Sequence, residues 1–582
     1  MMRFLVCACT LVCLPLAAQA PDSTIPDLDA LRRRPMSELA TSISRWSSDR
    51  GALLRRYDAE FSPVRRARMR RLDTGWLAAL GAVPFDELGR EAQVDAILLR
   101  SRLTHELSLL DREEQQAQEM AALLPFADTL WQMLEERREL TRPDPVVASR
   151  RLAWMADTLA ATRRAFEREL AAGRAPVSRS VALRSTEVIG SLRRDLEAWW
   201  RFYKGYDPEL TWWLTEPADR LLKGLDGWRT FLSERVVGIK EGADAPIVGD
   251  PIGRNGLLAD LANEMIPYTP EELLAIAEKE FAYLETEARR AARDMGLGDD
   301  WKAALERTKQ DYPPVGGQVP AVRDMAYEAI DYVMSHDLVT VPPLAREIWR
   351  MEMMSAEAQK TNPFFLGGES IIVASPTDGQ TEAEKQMALR ANNRHFSRAT
   401  VFHELIPGHE LQGFMASRSN SYRGLFSTPF YVEGWSLWWE MHLWDLGFPT
   451  TPENRMGMLF WRMHRAARII FSLNFHLGKW TPEQCIDFLV DRVGHERASA
   501  TGEVRRSFNG TYSPLYQAGY LLGGMQLRAL YTELVTSGRM TERAFHDAVL
   551  ATGPMPIEMV RALLDPRIPL KADYAPQWRF AD

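Results

Sequence analysis

The dipeptide Pro407-Gly408 constrains this chain more than any other pair, because it interrupts the run Phe402-His403-Glu404-Leu405-Ile406-Pro407-Gly408-His409-Glu410-Leu411-Gln412. Proline lacks a backbone donor and its ring clashes with the preceding turn, while glycine accepts dihedrals that other residues avoid. His403 and His409 are six positions apart, which on an undistorted helix would aim them roughly 120° away from each other. A regular helix therefore cannot bring both imidazoles to one point. The Pro-Gly pair is expected to bulge the helix and carry His409 round to the side of His403.

Two convergent imidazoles with a carboxylate beside the first have the donor chemistry of a zinc peptidase. In the H-E-x-x-H arrangement one helical face delivers both histidines to the metal while the glutamate reaches the nucleophilic water. Here that motif is stretched: His403 and His409 are the expected zinc ligands and Glu404 the general base. A catalytic zinc takes about three protein ligands and keeps one position open. Downstream, Tyr431-Val432-Glu433-Gly434-Trp435 opens a strongly helical run, and Glu433 is the candidate third ligand. Glu440 follows two turns later on the same face, spaced to hydrogen-bond the far nitrogen of a ligating histidine.

At 582 residues the chain is long enough for several ordinary domains or one large helical body with two lobes. A net charge of -8 argues against nucleic acid as partner, since phosphate binding shows as a basic excess. Arg65, Arg66, Arg68, Arg70 and Arg71 form a dense cationic run, read as a solvated helix face because acidic neighbours follow. Met1 to Ala20 carries Arg3, an apolar stretch and small residues, the pattern of a secretory signal peptide cut after Ala20 or Ala18. Periplasmic or secreted localisation is expected, with no integral membrane segment in the mature chain. Cys7, Cys9 and Cys13 fall in that leader, leaving Cys485 without an intrachain partner and expected to pack as a small hydrophobe.

The fold class expected is mainly α: a two-lobed helical body with a deep channel and a small β-sheet beside the metal helix. A leader over residues 1–20 would precede an N-terminal helical lobe over 21–241 and a catalytic helical lobe over 242–582, divided in the Gly- and Pro-containing stretch Gly242 to Gly256. Phe85 to Leu99 has apolar spacing of three and four, and Thr269-Pro270-Glu271-Glu272-Leu273 combines an N-cap, an N1 proline and an acidic first turn. The strong strand candidate is Glu369-Ser370-Ile371-Ile372-Val373-Ala374, placed to hold a substrate backbone by strand addition.

Three clusters beyond the motif have donors suited to a peptide site: one around His476, one containing Arg505 and Arg506, and one containing Tyr516, Gln517 and Tyr520. A tyrosine hydroxyl can donate to the oxyanion of a tetrahedral intermediate, and an arginine fork suits a terminal carboxylate. Tyr520 is the first candidate oxyanion donor and Tyr516 the second.

These residues resemble the bacterial family catalogued as domain of unknown function 885, which carries H-E-x-x-P-G-H followed by E-G-W. The resemblance runs from the Phe85 to Leu99 region, through Asn263 to Leu273, to Phe545 to Pro554. It implies a distant relationship to helical zinc peptidases such as the angiotensin-converting and oligopeptidase groups, which enclose a channel between two lobes. It also implies that His403, His409 and Glu433 hold zinc, that Glu404 is the base, and that Gln517 and Tyr520 belong to a downstream site. Two positions depart from many relatives: Glu410 stands where a second histidine is common, and Ser472 where an aspartate precedes the residue matching His476. Both bear on the surroundings of the metal ligands rather than on the ligands themselves.

The expected function is zinc-dependent hydrolysis of short peptides. A zinc hydrolase of a small amide or ester, and an inactive peptidase-like scaffold that binds a peptide, are the alternatives. The chain has neither a G-x-S-x-G elbow nor a P-loop.

Overall fold

A computed structural model describes residues 25–33, 36–239, 245–314, 316–359, 362 and 364–581. The leader expected over residues 1–20, with its three cysteines, lies outside them. The fold is mainly α, with one two-stranded sheet among the described residues. No helix of the described residues is long and apolar enough to cross a membrane.

Three apolar cores organise the described residues, a small one around Val322, Ile371, Val373, Val401 and Leu405 and two larger ones. The largest begins with Leu39, Ile43 and Trp46, includes Ala92 to Leu103 and then takes in most buried apolar residues from Leu257 to Phe580. The second holds Ala59, Met120 to Phe166 and Val188 to Leu232. The break near residue 242 thus marks the end of the second core, but the first helices pack with the body that carries the histidine motif.

Local sequence explains the elements that frame the site. Asn393 caps the helix Arg394–Glu404, its side chain accepting from His395 and Phe396 amides at 3.0 Å each. Thr428, with Pro429 at the first position, starts Pro429–Asp445, and Thr451 with Pro452 starts Pro452–His476. Both of the latter helices are buried on nearly every side from Phe430 to Leu443 and from Met456 to Leu473, as their apolar composition all round requires. Helix Tyr516–Tyr531 crosses Pro429–Asp445 at glycines: a Cβ on Gly434 would stand 2.6 Å from Gly523 Cα. That spacing lets the two backbones touch and fixes the height of Glu433 above the 516–531 helix.

The cationic run lies on helix Pro63–Gly81 and is paired rather than simply solvated. Arg65 and Arg66 reach Glu113, and Arg70 reaches Asp111 at 2.8 Å on the Arg90–Met120 helix. The strand candidate forms β2, Ser370–Val373, which pairs in parallel with β1, Arg350–Met353. On its other side Ile372 exchanges backbone hydrogen bonds with Leu366 at 2.8 and 3.1 Å. Because β2 is flanked on both sides, the backbone nearest the histidine motif belongs to Leu366–Gly368 instead. Cys485 is free and fully buried.

Candidate functional site

The stretched motif is not a bulged helix but two helices with a sharp junction. Arg394–Glu404 ends at Leu405 (φ −106°, ψ −118°), the Ile406–Pro407 bond is cis, Gly408 has ψ −130°, and His409–Ala416 begins at once. A helix broken in this way leaves carbonyls without their usual donors. Here Gly408 N donates to Phe402 O at 3.0 Å and Glu410 N to Leu405 O at 3.1 Å. Ser436 Oγ donates to His403 O at 3.0 Å and Trp435 Nε1 to Pro407 O at 2.8 Å. Residues just after Glu433 thus hold the junction that orients both histidines. A side chain at Gly408 would collide with the backbone at His403.

The junction brings the two imidazoles together at right angles, with ring centroids 4.8 Å apart. Glu433 Oε2 lies 3.1 Å from His409 Nε2 and 3.6 Å from His403 Nε2. Ligands about 2.0–2.1 Å from a tetrahedral zinc are separated by about 3.4 Å, and Glu433 Oε2 stands from each imidazole nitrogen at about that separation. His403, Glu404 and His409 likewise offer ligand atoms within 4.8 Å of one another. The far nitrogen of His403, Nδ1, is 2.7 Å from Glu440 Oε1, which leaves Nε2 pointing at the cluster. Arg465 donates to the same Glu440 oxygen at 3.2 Å, and Tyr516 Oη donates to the second oxygen of Glu433.

Electrostatics follow from this crowding. Burial alone would push His403 down, but its hydrogen bonds to Glu433 and Glu440 outweigh it and raise it to about 9. Burial alone would raise Glu433, but the two histidines hold it well below the usual carboxylate range. Burial raises Glu404, opposed by His403 and His409. Its carboxylate faces the backbone of Gly367, where a Cβ would stand 2.7 Å from Glu404 Cα.

These groups open on a cavity of about 600 Å³. Its lining comes from residues between Phe364 and Pro554, so the cavity lies within the main body and not between the two expected lobes. Phe364 to Gly368 line it, as do Tyr512, Tyr516, Tyr520, Arg465, Arg468 and Arg506. The Tyr520 ring lies nearly parallel to that of His403, 13° and 6.2 Å away.

Of the expected substrate contacts, Tyr516, Tyr520 and Arg506 line this cavity, whereas Gln517, Arg505 and His476 do not. Adjacent helical residues point about 100° apart, so Gln517 turns from the cavity to donate to Glu503 at 2.9 Å and to Ser507 at 2.5 Å. Arg505 donates to Ala245 O at 2.8 Å. His476 is buried beside Phe475 and Phe508, which pushes it down to about 4. Tyr516, expected as an alternative oxyanion donor, has its hydroxyl engaged by Glu433.

Arg465 and Arg468 were not among the residues expected from sequence. Their signal is Arg462, Arg465 and Arg468 recurring at intervals of three in an otherwise apolar helix, a pattern that a buried helix tolerates only when each charge has a partner.

The fold has counterparts among solved structures. A candidate lipoprotein of unknown function from Shewanella oneidensis superposes with a TM-score of 0.65 at 18% identity, covering 91% of this chain and 100% of that one. A candidate lipoprotein from Colwellia psychrerythraea gives 0.52 at 15% identity, covering 86% of this chain and 90% of that one. No curated protein matches the chain. The family of bacterial proteins of unknown function designated DUF885 matches residues 45–564, and the chain belongs to that family.

Proposed function

We propose that the protein is a zinc-dependent peptidase acting on short peptides, with zinc held by His403, His409 and Glu433. The observation that carries this reading is the approach of Glu433 Oε2 to His409 Nε2 and His403 Nε2 at 3.1 and 3.6 Å, inside a cavity that Glu404 also lines. Zinc, when bound, supplies Lewis acidity toward a carbonyl oxygen and toward water. Glu404 takes a proton from the attacking water and delivers it to the leaving amine; its burial raises its proton affinity toward the range in which it can do both. Tyr520, which burial keeps protonated, donates to the developing oxyanion. Glu440 fixes the His403 ring, and Tyr516 fixes the Glu433 carboxylate. The Leu366–Gly368 backbone runs beside Glu404 and offers an extended peptide an edge to pair with.

Export accompanies this reading. The Met1 to Ala20 segment has the composition of a leader, and the Shewanella and Colwellia structures are described as candidate lipoproteins. Fractionation of the native host, with the protein in the cytoplasmic fraction, would overturn it.

The test of the activity is metal analysis of the purified chain together with cleavage of a random peptide library by mass spectrometry. About one zinc per chain and discrete cleavage products, both lost in His409→Ala, are expected. Zinc without cleavage of any peptide would favour an amide or ester hydrolase, and absence of metal after reconstitution would leave a binding scaffold.

A further inference from the structure

Behind the cavity wall formed by Arg468 and Arg506, and set apart from the histidine cluster, lies a second polar centre built on Glu503. Glu503 is fully buried and accepts from Arg468 Nε at 2.7 Å, Arg506 Nε at 2.8 Å and Gln517 Nε2 at 2.9 Å. Arginine commonly meets a carboxylate with two parallel N–H bonds, yet each of these guanidinium groups gives Glu503 its Nε. Two guanidinium charges therefore share one carboxylate. Arg468 is only 1% exposed, and its Nη1 has no hydrogen-bond partner. A buried, unpartnered donor costs stability until something completes it. Arg465, whose Nε is likewise without a partner, is engaged by Glu440 through Nη2.

Arg468 and Arg506 both line the cavity that also holds the proposed metal ligands. The Arg468 Cζ lies 4.2 Å from the Tyr520 ring centroid, and the His403 ring lies 6.2 Å from the same point. The guanidinium is thus no more than about 10 Å from the His403 ring, the length of two or three extended residues. Arg506 stands over Tyr512 at 5.3 Å, and Tyr512 stacks on Tyr516 at 4.0 Å, whose hydroxyl reaches Glu433. Aromatic rings therefore wall the space between the two centres.

We propose that Arg468 and Arg506 form an anion subsite that binds a substrate carboxylate one or two residues beyond the bond at the histidine cluster. This rests on the peptidase reading for the identity of that bond. The carboxylate is supplied by the peptide's free C-terminus or by an acidic side chain at that position. Gln517 is a positioning residue, donating to the Glu503 carboxylate that Arg468 and Arg506 share.

Calorimetric titration of the full chain, metal-free and zinc-loaded, separates these claims without requiring turnover. The probes are alanyl-phenylalanine, its C-terminal amide, and alanyl-glutamate amidated at its C-terminus, whose carboxylate is on the side chain. The free acid is expected to bind at least about tenfold more tightly than the phenylalanine amide, with that preference lost in Arg506→Gln and partly kept in Arg506→Lys. Recovery of affinity by the amidated glutamate peptide assigns the subsite to side chains; no recovery assigns it to the terminus. Equal binding of acid and amide to the wild type with no gain from the amidated glutamate peptide, or a preference that survives Arg506→Gln, overturns the proposal. Should Arg506→Gln fail to fold by circular dichroism, Arg506→Lys and Arg468→Lys decide it, since both keep charge and lose the fork. A protein that prefers the acid but cuts no peptide would sink the peptidase reading alone. One that cuts peptides without preferring free carboxylates would sink the subsite alone.

Discussion

Glu440 Oε1 approaches His403 Nδ1 at 2.7 Å and receives Arg465 Nη2 at 3.2 Å, so one carboxylate oxygen ties the imidazole to a buried arginine. The pair fixes which nitrogen of His403 faces Glu433. Glu440→Ala is expected to weaken zinc binding about 10- to 100-fold, read by competition with a chelating dye. Glu440→Gln should lose less, since its amide oxygen still accepts from Nδ1. Unchanged affinity in both would remove Glu440 from the metal centre.

Glu404→Gln tests the base separately from the metal. The amide occupies the same volume beside Gly367 and adds no charge, so zinc content is expected to stay near wild type. Turnover should fall by about 100- to 10,000-fold. Near-normal cleavage by a zinc-loaded variant would show that another group moves the proton.

How much of this was legible in the sequence depended on whether the determinants were local. Thr269-Pro270-Glu271-Glu272 carries its own capping information, and Pro270–Asp294 begins there with a reciprocal capping box. Glu369 to Ala374 concentrates β-branched residues and gives β2, but its partner Arg350–Met353 has no β-branched residue and is largely exposed, so only pairing identifies it. Pro407-Gly408 announced that the helix could not be regular, yet whether it bulged or broke depended on Trp435 and Ser436 being there to satisfy the freed carbonyls. The misplacement of Gln517, Arg505 and His476 has the same origin: sequence clusters put residues on one segment, while one helical step decides which faces the cavity.

The crossing at Gly434 and Gly523 predicts opposite outcomes for two glycine substitutions. A Cβ on Gly523 would meet Phe430 O and come within 2.8 Å of Gly434 Cα, the residue next to Glu433. Gly523→Ala should therefore separate the helices, cost about 1–3 kcal/mol and lower zinc affinity together with the melting temperature. Gly75 lies exposed inside helix Pro63–Gly81, where an added Cβ would meet nothing within 4 Å, and Gly75→Ala should stabilise by about 0.5–1 kcal/mol with no change in metal binding. Equal melting temperatures for the two variants would contradict the close crossing.

Asp73 predicts how stability depends on pH away from the site. It is fully buried, accepts from Trp46 Nε1 at 3.2 Å through Oδ1, and has no partner for Oδ2. Burial pushes it up from 3.8 to about 6, although the Trp46 bond and Arg50 oppose the shift. A carboxyl whose folded value exceeds its unfolded value binds more protons in the native state, so its contribution to stability declines as pH rises from about 4 to about 6 and stays lost above that. Asp73→Asn keeps an acceptor for Trp46 and cannot ionise. It is expected to match wild type near pH 4 and to exceed it at pH 8 by no more than about 3 kcal/mol, in paired denaturant titrations at the two values. A stabilisation that is the same at both would mean that Asp73 stays neutral throughout, and a loss at pH 8 would mean that the charged form has a partner worth more than its burial costs.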